Sequence, residues 1–333
     1  MTTIQSAIDS FLLNVKRNQP NNTYKNYRSD LLGVSGFLPC LENRIKPKDS
    51  ASSLSEDMAA QFIQLLLDAG AAPATRQRKA AAVREFYRFA IATDLANVSI
   101  EKLNYKIKSG KLLAGKKRHI EFPKEKIEKV LSFVRTIKPA GKENEILIRR
   151  NQAFIFCLAE SGMRVSEASS LLLGQIDPQG KSAVIIGKGD KQQQKYFGNT
   201  SWIYLSAYLK LRAAAVGVDD WRSLSSRNSD MAAWPVFTRH DKNARKKQKP
   251  ITQETGENIV HNFVYEALGE KEYDPNITCH TFRHLFVTRV LDQTGDLKTA
   301  QELAGHANIT TTANYSHRSN IQNQAAHKKI FDG

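Results

Sequence analysis

Apolar residues recur at helical spacing through most of this chain of 333 residues, and only one short stretch has the composition of β-strands. Within residues 1–95, four apolar stripes of this kind are separated by turn residues. Further amphipathic helices are predicted over residues 123–137, 145–160, 199–216 and 252–268. The segments 183–186 and 195–197 are predicted to pair as strands. The sequence therefore predicts a mainly α fold with a small antiparallel sheet.

The length of the chain suggests two domains, and its composition places a boundary near residue 97. Residues 1–96 are predicted to form a helical domain, and residues 119–318 a second domain that carries the sheet. Between them, residues 97–118 contain seven Lys or Arg, one acid and two glycines, which indicates a basic linker. Such a tether can follow the phosphates of a duplex, and a linker that is merely kept soluble by its charge is the open alternative. Residues 319–333 are predicted to be a C-terminal tail with a short helix.

The charge of the chain indicates a polyanionic partner. There are 49 Lys and Arg against 33 Asp and Glu, a formal net charge of +16, and nucleic acid is the usual partner of such a surplus. A membrane is disfavoured because no apolar run approaches the length of a bilayer span. No export signal is recognised at the N-terminus, and Cys40, Cys157 and Cys279 form no CxxC pair. These features predict a cytoplasmic protein without a disulfide framework or a cysteine-bound metal.

A basic helix is predicted between Pro73 and Asp94. Its apolar side faces a core, and basic residues surround the other sides. A helical clamp whose basic side lies on the DNA backbone is one interpretation, and an ordinary bundle with a solvated charged face is the other. The candidate DNA contacts in this helix and in the linker are Arg76, Arg78, Lys79, Arg84, Lys116, Lys117 and Arg118.

The stretch from residue 280 to residue 315 carries the chemistry. His280 and Arg283 are three residues apart and share one face of a predicted helix. His306 follows the end of a second short helix, and Tyr315 lies on a third. A phenol is a nucleophile, an imidazole transfers protons near neutral pH, and a guanidinium binds phosphate through two parallel hydrogen bonds. The set is suited to attack on a phosphodiester.

Two segments further upstream complete a pattern. The sequence SGMRVSE over residues 161–167 places Arg164 on a turn between two helices, and Gly187-Lys188-Gly189 forms a hairpin tip. Together with HTFRH, AGH and the tyrosine nine residues later, these boxes resemble the tyrosine recombinases, a family of phage-type integrases with Cre-like and Xer-like members. The resemblance covers the C-terminal two thirds of the chain well and the first hundred residues only by pattern.

The resemblance implies a nucleophile and its phosphate-binding groups. Tyr315 would attack the phosphorus and become a 3′-phosphotyrosine, while Arg164 and Arg283 would hold the phosphate. The covalent linkage keeps the energy of the broken DNA strand, so neither ATP nor any other cofactor is expected. No metal is expected either, because the two guanidinium groups supply the positive charge.

The resemblance also implies groups that move protons and orient the phosphate. Lys188 would give a proton to the departing 5′-oxygen, with Lys191 as a rival for that role. His280 would accept the proton of the phenol, and His306 would hydrogen-bond a phosphate oxygen. Glu167, one turn beyond the first arginine, would orient a partner.

The partners implied by the resemblance are double-stranded DNA sites and further copies of the chain. The two domains would form a C-shaped clamp on DNA, with a monomer in solution and a tetramer on paired sites. The C-terminal tail would dock on a neighbouring protomer or fold back on its own domain. A prokaryotic or viral origin is expected. Integration, excision and resolution are not distinguished by the sequence.

Three other functions are open to the same residues. A nicking-closing enzyme similar to type IB topoisomerases would use the same Arg, Lys, His and Tyr set and act alone. A DNA-binding protein without catalytic activity would use the positive charge to bind DNA and would not cleave it. A zinc hydrolase would use His280 and His284, which are four residues apart, but HTFRH lacks the glutamate of HExxH.

Overall fold

The computed structural model describes residues 1–109, 112–113, 122–139, 141–186, 192–226, 229–240 and 248–305. The chain divides into two compact units, residues 1–120 and residues 121–333. Each unit has its own hydrophobic core. The fold is mainly helical with one small antiparallel sheet in the second unit, as the apolar periodicity predicted.

The first unit is a bundle of helices around aromatic side chains. The ring of Phe37 packs against the rings of Phe62 and Phe86, with centroid distances of 5.6 and 6.3 Å, and the ring of Tyr87 lies 5.8 Å from that of Phe86. The Tyr87 hydroxyl donates a hydrogen bond to the Ser55 carbonyl oxygen at 2.9 Å, so this buried polar group is satisfied. The helices are α1 (Ile4–Asn18), α2 (Asn21–Leu32), α3 (Phe37–Cys40), α4 (Glu56–Asp68), α5 (Pro73–Ala92) and α6 (Ile100–Ser109).

Helix α6 corrects the predicted linker. Leu103 and Ile107 on α6, and Leu112 after it, are buried in the core of the first unit. Arg76 Nε also donates a hydrogen bond to the Leu112 carbonyl oxygen at 2.7 Å. The prediction of a loose tether from residue 97 is therefore wrong for its first part. The segment contains an apolar stripe at helical spacing that attaches it to the bundle. Its many lysines made the segment resemble a solvated linker in the sequence.

The second unit is built around one buried helix, α8, which packs against α10 and α12. Residues 153–159 of α8 are buried without interruption, so the helix is apolar all round at its centre. The helices are α7 (Lys124–Thr136), α8 (Lys142–Ser161), α9 (Val165–Ser169), α10 (Asn199–Ala215), α11 (Gln253–Glu272), α12 (Cys279–Thr294) and α13 (Leu297–Ala304).

The sheet has three antiparallel strands in the order β1 (Ile176–Asp177), β2 (Ser182–Ile186) and β3 (Gln192–Tyr196). Ala183 of β2 is paired with Lys195 of β3. This register turns the Lys195 side chain to the buried face of the sheet. Strand β3 begins three residues earlier than predicted, because its glutamines give no apolar alternation.

Candidate active site

The turn between α8 and α9 presents the first arginine. Helix α8 ends at Gly162, whose backbone is left-handed with φ +62°. A Cβ at this position would lie 2.4 Å from the ring of Phe286, so any other residue would displace that ring and strain the left-handed turn. Arg164 then begins α9 as its N-cap, and its backbone N–H donates to Glu167 Oε2 at 2.8 Å. The turn therefore fixes the backbone of Arg164 against the carboxylate of the same short helix.

The second arginine is buried on α12. The Arg283 side chain is 1% exposed, and its Nη1 donates a hydrogen bond to the Gly162 carbonyl oxygen. The same nitrogen lies 3.9 Å from Glu167 Oε2. A buried guanidinium needs partners of this kind to compensate for its lost hydration. Arg283 is thus held by the turn that carries the first arginine.

Glu167 connects the two arginines. Its Oε1 accepts a hydrogen bond from Arg164 Nη1, and its Oε2 faces Arg283. The carboxylate is 10% exposed and belongs to the helix that the first arginine caps. Two guanidinium groups that are 119 residues apart in the sequence therefore converge on one anion. An anion-binding site of this shape suits a phosphate, which accepts bonds from both groups at once.

His280 lies one turn before Arg283 at the start of α12. Partial burial lowers the pKa of His280, the charges of Arg283 and Arg164 lower it further, and Glu257 opposes them. The imidazole is therefore neutral at neutral pH and able to accept a proton. Its ring meets that of His284 edge-on, with centroids 4.5 Å apart.

Glu257 is a residue that sequence reasoning missed. It lies on α11, and its Oε2 accepts a hydrogen bond from the Cys279 backbone N–H at 2.9 Å. Cys279 is the first residue of α12, so this carboxylate occupies one of the unpaired donors at the helix start. It fixes the end of α12 that carries His280. Only the packing of α11 on α12 shows the contact, because a glutamate within an amphipathic helix gives no signal in the sequence.

Strand β3 contributes a buried lysine that sequence reasoning also missed. The Lys195 residue is 1% exposed, and its Nζ donates to the Leu303 and Ala304 carbonyl oxygens of α13 at 2.7 and 2.8 Å. The sequence QQQKY around it has no alternation that would place a lysine inside. The contact depends on a helix end 108 residues further along the chain, which no local pattern reveals.

The electrostatic environment of Lys195 includes both arginines. Burial lowers the pKa of Lys195 to about 7, and the charges of Arg283 and Arg164 act in the same direction, whereas Glu167 opposes them. Lys195 thus belongs electrostatically to the same cluster as the anion-binding site.

Several predicted residues lie outside the described part of the chain. These are the predicted nucleophile Tyr315, the predicted catalytic residues Lys188 and His306, the linker residues Lys116, Lys117 and Arg118, and the tail 319–333. Their predicted roles rest on the sequence. The site that the structure describes consists of Arg164, Glu167, His280 and Arg283, with Lys195 added to them.

The predicted basic helix needs a correction. Arg76 and Lys79 of α5 are buried rather than presented on an outer face. Lys79 Nζ donates to the Ser35 carbonyl oxygen at 2.7 Å and lies 3.6 Å from the buried Asp30, so both side chains tie the first unit together. Arg78 also pairs with Asp30, but its side chain is 48% exposed. Of the four predicted contacts on this helix, Arg78 and the half-buried Arg84 remain available to DNA.

Neither a metal cluster nor a membrane span is seen in the described ranges. Over these residues, no three His, Cys, Asp or Glu side chains are grouped so as to hold a metal ion. No helix among the described residues combines the length and the apolar character that a bilayer crossing requires.

Comparison by sequence relates the chain to known proteins. Residues 121–321 match the phage integrase family, and residues 8–94 match the SAM-like N-terminal domain of phage integrases. The chain is 30% identical over 270 residues to tyrosine recombinase XerC of Pediococcus pentosaceus, covering 81% of this chain and 80% of that protein. It is 26% identical over 328 residues to tyrosine recombinase XerD of Mycobacterium leprae, covering 95% and 94%.

Solved structures share the fold. XerH site-specific recombinase bound to a palindromic difH substrate, in a post-cleavage complex, has a TM-score of 0.65 at 20% identity, over 97% of this chain and 84% of that one. The Tn1549 transposon integrase with a circular-intermediate DNA has a TM-score of 0.65 at 16% identity, over 99% and 100%. The family match covers more than half of the chain, and the two relatives match it over most of its length. The chain therefore belongs to the phage integrase family and is a tyrosine-type site-specific recombinase.

Proposed function

We propose that this recombinase cuts and rejoins double-stranded DNA at specific sites, with Tyr315 as the nucleophile and a 3′-phosphotyrosine as the intermediate. The observation that carries the proposal is the convergence of Arg164 and Arg283 on the single carboxylate of Glu167. A phosphodiester under attack gains negative charge on its non-bridging oxygens, and the protein must compensate for it. Two guanidinium groups that already face one anion are prepared for that task.

The reaction balances without a metal ion or ATP. The phenol oxygen of Tyr315 forms a bond to phosphorus, and the bond from phosphorus to the 5′-oxygen breaks. The phenol proton goes to His280, whose lowered pKa leaves it neutral, and Lys188 gives a proton to the departing oxygen. Because the phosphotyrosine keeps the energy of the broken linkage, a 5′-hydroxyl reverses the step and rejoins a strand. His306 is proposed to hydrogen-bond a phosphate oxygen.

The proposed partners are paired DNA sites and further copies of this chain. The difH substrate of XerH and the transposon DNA of the Tn1549 integrase support DNA as the partner. Exchange between two duplexes needs several active sites at once, so we propose a monomer in solution and a tetramer on paired sites. The bacterial source of both curated relatives supports the cytoplasm as the place of action.

The experiment that tests this function traps the covalent intermediate. DNA fragments that flank the gene are nicked next to each candidate site, so that the short strand released by cleavage diffuses away and the protein stays attached. We expect a covalent protein–DNA adduct that maps to Tyr315, that is absent from Tyr315→Phe, and that forms equally well with a chelator present.

Two outcomes contradict the proposal. An adduct that disappears with the chelator shows that a metal supplies the charge assigned to the arginines. Relaxation of supercoiled DNA by a protein monomer, without recombinant products from two DNA fragments that carry the site, favours the topoisomerase-like alternative. Tyr315→Phe serves as the control, because it removes the nucleophilic oxygen and leaves the arginines intact.

A further inference from the structure

The last turn of α13 is held by side chains from other elements. Gln193 Nε2 donates to the Glu302 carbonyl oxygen at 2.9 Å, and Lys195 Nζ donates to the next two carbonyls. Arg164 Nη2 donates to the carbonyl oxygen of Gly305, the C-cap, at 3.0 Å. The four carbonyls from residue 302 to residue 305 lie at the helix end, where carbonyls generally lack a helical partner, although the Glu302 oxygen also accepts a hydrogen bond from the Gly305 backbone N–H at 3.1 Å. All four therefore have a side-chain donor.

The donors come from one strand and one turn. Gln193 and Lys195 alternate with Gln194 along β3, so they lie on the same face of the sheet. Gln194 points the other way and donates to Ser182 Oγ at 3.1 Å. The fourth donor is an arginine of the anion-binding site itself. The end of α13 is thus fixed between the sheet and the residues proposed to bind phosphate.

Gly305 shows how closely the strand approaches. Its backbone is left-handed with φ +74°, and a Cβ there would lie 2.0 Å from Gln193 Oε1. Any other residue would displace the amide group of Gln193 and strain the helix end. The next residue in the sequence is His306, and Tyr315 follows nine residues later. The point where the chain continues toward both residues is therefore set by the contacts of β3.

Filling space in the core does not by itself account for a lysine at this position. The site is buried against an apolar core, where an uncharged side chain would avoid the cost of removing an ammonium group from water. The position also faces Arg283 and Arg164, which repel a further positive charge, with only Glu167 opposing them. What the lysine provides, and an apolar residue does not, is a pair of hydrogen bonds to two successive carbonyls of α13.

We propose that Lys195, assisted by Gln193, is a positioning residue: it anchors the end of α13 to the phosphate-binding arginines, and with it the start of the segment whose sequence contains His306 and Tyr315. This inference rests on the proposed function, because it assigns Lys195 a part in the same strand cleavage. Lys195 acts through α13 and does not touch the DNA. A nucleophile that is displaced slightly from its line of attack loses rate rather than affinity.

The first test separates cleavage from binding. Lys195→Met keeps the length of the side chain and removes both hydrogen bonds. At saturating nicked DNA we expect adduct formation to fall on the order of 10- to 100-fold. The dissociation constant, measured in the Tyr315→Phe background, should stay unchanged. Lys210→Met, which removes an exposed lysine of α10, is the charge control.

Gln193→Ala and Gln194→Ala form a matched pair that does not depend on the behaviour of the buried variant. The two glutamines are neighbours on the same strand, and only the first contacts α13. Gln193→Ala should slow cleavage in the same direction as the Lys195 variant, by a smaller factor, while Gln194→Ala should cleave at the rate of the unchanged protein. If Gln193→Ala, Gln194→Ala and Lys195→Met all cleaved at the rate of the unchanged protein, the positioning role would be overturned.

The second test measures the anchor in the free protein. Hydrogen exchange of the amides in residues 297–305 should be faster in Lys195→Met than in the unchanged protein. The pH dependence has a definite sign. In the anchored state the pKa of Lys195 is about 7, below its ordinary value, so anchoring should strengthen as the pH rises above 7. After correction for intrinsic exchange rates, this pH effect should be present in the unchanged protein and absent from Lys195→Met.

The two tests fail in different ways. If the unchanged protein forms no adduct but exchange still responds to Lys195→Met, the proposed cleavage is wrong and the anchor stands. If cleavage by the unchanged protein is normal, and the Lys195 variant alters neither cleavage nor exchange, the anchor is wrong and the proposed cleavage stands.

Discussion

The sequence motif assigns Glu167 only a supporting role, whereas in the structure both arginines of the site face its carboxylate. It caps its own helix, pairs with Arg164 and faces the buried Arg283. In the free protein this carboxylate lies between the two guanidinium groups. We expect a phosphate to bind next to it and to contact the same two groups. The carboxylate thus keeps two like charges close together before DNA arrives.

Removing this carboxylate should therefore cost both stability and rate. For Glu167→Ala we expect the free energy of unfolding to fall by about 2 kcal/mol, because hydrogen bonds to charged groups are lost in a mostly buried site. Adduct formation should fall with it. Denaturant unfolding and the nicked-substrate assay measure the two effects. Glu266→Ala, on the exposed side of α11, is the control, and an equal loss in both variants would argue against the special role of Glu167.

His280 should determine the acid side of the pH–rate profile. Burial and the two arginines lower the pKa of His280 from its ordinary value, so the group stops acting as a proton acceptor only when the pH falls through that lowered pKa. The rate of adduct formation should rise as the pH increases through the lowered pKa of His280 and then level off with respect to this group. His280→Asn should remove this limb and lower the rate on the order of 10²-fold. An unchanged acid limb in the variant would assign the proton to another acceptor.

At the scale of the element, the backbone of the turn from α8 to α9 is constrained on several sides. Gly162 has a left-handed backbone, lies against Phe286, and offers its carbonyl oxygen to Arg283. Gly217 has a similar φ of +72° but open space around it. The two glycines therefore separate the cost of backbone conformation from the cost of steric overlap.

Alanine substitutions at these two positions should differ in size. Gly217→Ala should lower the free energy of unfolding by about 1 kcal/mol, from the left-handed backbone alone. Gly162→Ala should add an overpacking cost of about 1–3 kcal/mol and should also impair adduct formation, because the turn carries Arg164. Chemical denaturation of both variants provides the comparison. Equal losses at the two positions would mean that the ring of Phe286 moves aside without cost.

What the sequence could predict differs from element to element. The helices around α8 and the order of the motifs followed from apolar periodicity and from boxes that stay together in the chain. The meeting of Arg164 and Arg283 was anticipated through the resemblance. Helix α6 was not predicted because the lysines between its apolar residues give the segment the composition of a basic linker, and Arg76 was misplaced because a long basic side chain can fold inward onto a carbonyl. Lys195 could not be found because its partners are backbone groups of a distant helix.

At the scale of the whole molecule, each of the two units has its own core, and the core of the first includes a segment that its composition assigns to a linker. Leu103 of α6 is completely buried, whereas Tyr105, two residues later, is 71% exposed. The contrast makes α6 a direct test of where the first unit ends.

Leu103→Ala should destabilise the first unit by about 2–5 kcal/mol, because it leaves a cavity in a packed core. Tyr105→Ala should change the free energy of unfolding by no more than about 0.5 kcal/mol. Thermal and denaturant unfolding of the full chain measure both. If Leu103→Ala were as mild as Tyr105→Ala, the segment would behave as the tether that its lysines suggested.

The two guanidinium groups that share Glu167 are encoded far apart, on either side of a long stretch of the gene. A copy that is interrupted between codons 167 and 280 retains one of them and the whole first unit. On the proposed mechanism, a protein made from such a copy cannot hold a scissile phosphate between two cations, however well its remaining part folds. Decayed copies of this gene are therefore expected to lose DNA cleavage in a single step, long before their sequences become unrecognisable.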